Sequence, residues 1–166
     1  MMVSSYDADR RTLMPLLTPE TLGDLLAEYD FDNGCVTRVG IDDPFTPGGA
    51  SARIVVDARD REHGWPWTPV EFRLAGLRDY RLEHGKGFSG MLYFDPVVSR
   101  FSDETHGELL YLDFDPVDGP GQYEPVDAVD IVGRSQCFFA AEQISWRVLS
   151  PEESPRLAAG SPPSTE

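Results

Sequence analysis

Residues 70–82, VEFRLAGLRDYRL, leave few folds open to this chain. Val70, Phe72, Leu74, Tyr80 and Leu82 hold the even positions, and Glu71, Arg73, Asp79 and Arg81 the odd ones. That is the two-residue period of a strand with one buried face. Gly76 and Arg78 interrupt the apolar parity midway. A glycine there predicts a bend or bulge where the strand passes from one sheet to another, or a tight link between two short strands.

The same period recurs along the chain, predicting strands over 35–41, 52–58, 70–74, 77–83, 90–94, 108–114, 127–133 and 143–149. Stretch 108–114 is apolar on both parities (Leu109 and Tyr111; Leu110, Leu112 and Phe114) and reads as a central strand. Ahead of them, Thr18-Pro19-Glu20 has the chemistry of a helix start, and Leu22, Leu25, Leu26 and Tyr29 form one apolar stripe. Asp32-Asn33-Gly34 is expected to end that helix in a turn. With no second helical pattern to build strand–helix–strand units, the expected fold is mainly all-β. Its form is an antiparallel sandwich or an open curled barrel, with one N-terminal α-helix packed on it. Residues 1–17 read as a loose leader, 18–149 as a single β-rich domain, and the Pro/Ser-rich 150–166 as a disordered tail.

A net charge of −15 argues against nucleic acid or an anionic membrane as partner, because binding to phosphates needs Lys and Arg in excess. Its distribution is more informative. Residues 101–133 hold nine carboxylates, Asp103, Glu104, Glu108, Asp113, Asp115, Asp118, Glu124, Asp127 and Asp130, and no Lys or Arg. Residues 53–86 are nearly balanced, with seven basic and six acidic side chains. Residues 1–17 contain neither a signal peptide nor a membrane span, since Asp7, Asp9, Arg10 and Arg11 interrupt the apolar residues. Two cysteines without paired spacing, Cys35 and Cys137, indicate neither a disulfide framework nor a zinc site, and fit a reducing cytoplasm. One lysine beside thirteen arginines, with abundant Ala, Gly and Pro, fits a GC-rich bacterial genome.

Several motifs fail on context. Gly85-Lys86-Gly87-Phe88-Ser89-Gly90 spells GxGxxG but lies between two predicted strands, where a dinucleotide site needs a helix after it. His63, His84 and His106 each precede glycine, yet no HxH or HExxH spacing supports a metal site. Asp113 to Glu124 has the length of a calcium loop, but Asp118 occupies the position that requires glycine. No GxSxG marks a serine nucleophile. The expected protein is therefore not an enzyme and takes no cofactor and no metal.

Two features remain as binding candidates. Trp65-Pro66-Trp67 sets two large aromatics in a stiffened loop, as interaction hot spots are built. The acidic run offers Asp103, Glu104, Asp113, Asp115, Asp118, Glu124, Asp127 and Asp130 to a basic protein partner, with charge complementarity speeding encounter. The rival is a small-molecule-binding or hydrolytic domain with a pocket inside the curled sheet, anchored by Arg78.

The succession Glu28-Tyr29-Asp30-Phe31, then strands carrying Phe72, Leu77 and Tyr80, then Ile144-Ser145-Trp146-Arg147, resembles small β-rich immunity-type proteins of bacterial toxin systems and bacterial domains allied to them. The resemblance spans about residues 20–149 in order of elements and rests on core positions. It implies a cytoplasmic, non-catalytic protein that caps a toxin's active surface. It carries no contact residues with it.

Overall fold

A computed structural model describes residues 14–42, 45, 49–83, 90–116 and 124–154. The alternating segment is the heart of a 16-residue strand, β3 (Trp67–Leu82), in which Val70, Phe72 and Leu74 are buried. Numbered in chain order, the other strands are β1 (Tyr29–Asp42), β2 (Ser51–Asp60), β4 (Val97–Asp103), β5 (Gly107–Asp113) and β6 (Cys137–Val148). The helices are α1 (Leu22–Glu28) and α2 (Ala128–Arg134). The strands form a single antiparallel sheet in the order β1-β2-β3-β6-β5-β4, open rather than closed on itself. The fold is thus all-β, a curled open sheet and not a two-sheet sandwich.

Phe72 lies between Ile54 of β2 and Trp146 of β6. Gly76, at φ +63, does bend β3, but the bend is a register shift against β6 between Leu77 and Asp79 inside one continuous strand. Among the described residues there is no second sheet for it to enter.

Two apolar layers explain why some strands alternate and one does not. On the concave face, Phe31, Phe72, Phe114, Phe139, Ile144 and Leu25 belong to one core, which α1 helps to cover. On the convex face, Leu109, Tyr111, Phe138 and Ala140 pack beneath Ile131 of α2. β5 is buried on both sides, hence its double apolar parity.

Several local expectations are corrected. Residues 127–133 form α2 and not a strand, because Asp127 accepts the backbone N–H of Asp130 (3.1 Å) and Asp130 accepts that of Val126 (2.8 Å). Such capping satisfies open N–H groups at a helix start. Tyr29 is extended and opens β1, so α1 stops at Glu28 and Asp32-Asn33-Gly34 becomes an irregularity within β1. Stretch 90–94 contributes a single bridge, Met91 to Cys35, rather than a strand. Its bonds to β1 are Asn33 N–H to Leu92 carbonyl (2.9 Å), Leu92 N–H to Gly34 carbonyl (2.8 Å) and Val36 N–H to Gly90 carbonyl (2.7 Å). The loose leader is ordered at its end: Leu17 is buried and donates to the Ile144 carbonyl (2.8 Å), while Trp146 N–H reaches Pro15. The tail is ordered at its start, with Glu153 on Arg147 (2.9 Å) and Ser154 buried.

Gly34 is the tightest point of this frame. A Cβ there would lie 2.5 Å from the Asp57 carbonyl oxygen and 2.8 Å from that of Phe31, both backbone atoms. Gly34→Ala is accordingly expected to cost about 2 kcal/mol, since β1 must move off β2 to admit one methyl group. Urea denaturation measures this; an unchanged midpoint would show that β1 yields there freely.

Candidate functional site

The structure turns about half of the acidic run to internal use. Asp113 is buried, and accepts the Ser135 hydroxyl (2.6 Å) and the Asp115 N–H (2.9 Å). Its place is beneath the surface, not on a docking face. Asp115 is half-buried and accepts the Gln136 N–H (3.1 Å). Burial raises both carboxyl pKa values, that of Asp113 to about 6, and burial also pushes the neighbouring Cys137 thiol up to about 12. Asp127 and Asp130 cap α2. Glu104 and Glu124 are exposed, whereas the Asp103 side chain and Asp118 lie outside what is described. These carboxylates hold their own backbone more than they offer a common face.

Arg78 lies on the surface of the sheet. It is exposed and paired with Glu142 across β3 and β6, its Nε at 3.2 Å. The concave interior is instead filled by the aromatic core, including Phe72 set edge-on to Phe114 at 5.5 Å. Of the three histidines, His63 donates from Nδ1 to Asp60 (2.8 Å), His106 is exposed in the β4–β5 turn, and His84 falls outside the described residues, as does the GxGxxG segment up to Ser89. Among the described residues no three metal-ligating side chains converge.

What the fold does assemble is a groove of about 940 Å³ where α1, the β2–β3 turn and the end of β6 meet. Its lining includes three aromatics, Tyr29, Trp67 and Trp146, and four carboxylates, Asp24, Glu28, Asp60 and Glu62, against two basic groups among the described residues, Arg147 and His63. Tyr29 and Trp146 meet edge to face at 5.9 Å, the arrangement that ring quadrupoles favour.

The β2–β3 turn is built around Asp60. Its carboxylate accepts the N–H groups of Glu62 (2.9 Å) and His63 (3.1 Å), and its backbone closes on Trp65 (2.8 Å) and Pro66 (3.0 Å). Arg61 then bonds the turn to α1: its Nε donates to the Leu26 carbonyl (3.1 Å) and its N–H to that of Glu28 (2.9 Å). Those are carbonyls from the helix end, where no helical partner remains. Arg61 lies over Trp65 and Arg59 over Trp67, each at 5.2 Å, so two internal cation–π contacts hold the half-exposed indoles.

Trp65 and Trp67, singled out in the sequence, therefore stand beside and in the groove. Asp24, Glu28, Asp60, Glu62, Tyr29 and Trp146 were not marked by sequence, since three separate segments supply them. The only available signal was local: Asp60 and Glu62 lie within seven residues of Trp67. No helix among the described residues is long and apolar enough to cross a membrane. Comparison with protein-family models, curated proteins and solved structures finds no match to this chain.

Proposed function

We propose that this chain is a non-catalytic docking protein that takes a basic segment of a partner protein into the groove beside Trp67. The observation that carries the reading is the meeting of aromatic walls and four carboxylates in one concave site. Lysine and arginine side chains gain from both, through ring faces and through charge. The net charge of −15 adds long-range attraction for a basic surface, which raises the encounter rate and weakens with salt. An immunity-type role, in which a cytoplasmic acidic protein occludes the positive face of a toxin, accords with this chemistry and with the order of sequence elements.

A blocked tri-arginine peptide tests the groove by isothermal titration and by the indole resonances of Trp65 and Trp67, with a tri-citrulline peptide as the neutral control. Trp67→Ala and Glu62→Gln are each expected to weaken tri-arginine binding by about tenfold or more, while Glu104→Gln and Glu124→Gln leave it unchanged. Equal binding of the citrulline peptide, or sensitivity at Glu104 and Glu124 alone, would remove the groove from consideration.

A further inference from the structure

The register of the sheet places an unexpected group of cations on its convex face. Arg53 of β2 is directly opposite Arg73 of β3, which in turn faces Ser145 of β6. In the adjoining row Arg38 of β1 faces Val55, Val55 faces Glu71, and Glu71 faces Arg147. Cross-strand partners point to the same side of a sheet, with Cβ atoms about 5 Å apart. All four arginines therefore share one patch, on the side away from Phe72 and Ile54.

Glu71 is buried within it and accepts Arg147 Nε (2.7 Å) and Arg73 Nε (3.0 Å). Glu153 reaches in from the turn after β6 to Arg147. Arg38 and Arg53 are exposed and pair with no described residue. Asp42, held by Ser51, and Asp57 stand one row outside on either side. Like charges set directly opposite one another destabilise a sheet. In a chain so rich in carboxylates, two arginines meet here with none between them.

We propose that this patch is a binding site for a phosphoryl dianion, seated between Arg53 and Arg73 with Arg38 alongside. Glu71 and Glu153 take up Arg147 and one nitrogen of Arg73, and Asp42 and Asp57 stand a row away, so Arg53, Arg73 and Arg38 are left nearest one another, where a phosphate monoester or hydrogen phosphate ion meets their charge. The planar guanidinium fork matches the oxygens of a phosphate, and Arg73, using Nε on Glu71, keeps its two terminal nitrogens for a ligand. The ligand is small, because the surrounding acidic protein repels a phosphate polymer. Arg147 borders both this patch and the groove, but Arg38, Arg53 and Arg73 do not line the groove, and the proposal does not rest on the docking reading.

The test is a titration of the full chain with inorganic phosphate and, separately, phenyl phosphate at constant ionic strength, followed by the backbone and Nε resonances of Arg38, Arg53 and Arg73. Saturable shifts at these residues are expected, with affinity falling about tenfold or more in Arg53→Gln and unchanged in Arg78→Gln. Tighter binding of phenyl phosphate identifies a phosphorylated organic ligand; equal binding identifies free phosphate. Arg53 is exposed, so the variant retains the fold, and without phosphate it is expected to be the more stable protein in urea as the like-charge pair is relieved. Shifts that acetate reproduces at the same ionic strength, or that persist in Arg53→Gln, would overturn the proposal.

Discussion

Phe72→Ala is expected to lower the unfolding free energy by about 4 kcal/mol, within the upper range for truncating one buried aromatic side chain. Phe72 has no exposed surface and sits on β3, third of six strands. Its ring lies 5.9 Å from that of Phe31 and 5.5 Å from that of Phe114, so it joins β1 to the segment after β5 across the curled sheet. Removing it forfeits the transfer free energy of the ring and leaves a void that paired strands on either side cannot collapse to fill. As a domain has only about 5–15 kcal/mol in total, the variant should populate unfolded chains under mild urea. Phe101→Ala is the comparison: half-buried at the smaller convex cluster, it should cost about 1 kcal/mol. Equal losses at the two positions would mean that the concave core is not the principal source of stability.

Asp113→Asn is expected to stabilise the protein, and only above mildly acidic pH. Burial lifts the folded-state pKa of Asp113 from its ordinary 3.8 to about 6. Because the folded pKa is the higher one, the stability this group contributes is complete below about pH 4 and is lost as pH rises through about 6. The loss amounts to at most about 3 kcal/mol by pH 7.5. Asparagine keeps the acceptor for Ser135 and for the Asp115 N–H while never ionising, and it relieves the repulsion with Asp115. The advantage of the variant in urea should therefore be small at pH 4, grow between pH 4 and 6, and level off above 7. An advantage that does not change with pH, or a variant less stable at pH 7.5, would show that the carboxyl does not titrate in that range. Neutralising Asp113 should also leave association with a basic partner unaffected, as it has no surface to present.

How much of the molecule was legible in its sequence follows from which interactions are local. The strands at Ile54, Phe72 and Ile144 declared themselves because one face is wet and the other dry, a contrast written into alternate residues. β4 did not, for an edge strand is only partly covered on each side: Val98 is buried, Phe101 half-buried and Arg100 exposed, so no period emerges. α2 looked like a strand because seven residues with one buried position carry little periodicity, and the reciprocal caps of Asp127 and Asp130 decide the matter. The groove was less accessible still. Its walls come from residues near 24–29, 60–69 and 146–149, and only strand order brings them together. The convex arginines were hidden for the same reason, since Arg53 and Arg73 become neighbours through pairing alone. The acidic run misled in the opposite way: Asp113, Asp115, Asp127 and Asp130 spend their carboxylates on hydrogen bonds within the fold.

The position of β6 has a consequence for biogenesis. The last strand among the described residues is the one wedged between β3 and β5, in the middle of the sheet. A nascent polypeptide that has not yet released residues 137–148 holds two separate ribbons, β1-β2-β3 and β4-β5, each with a bare apolar margin where the other half should join. Zipping must therefore wait until residue 148 has been made, and until then those margins are targets for chaperones or for self-association.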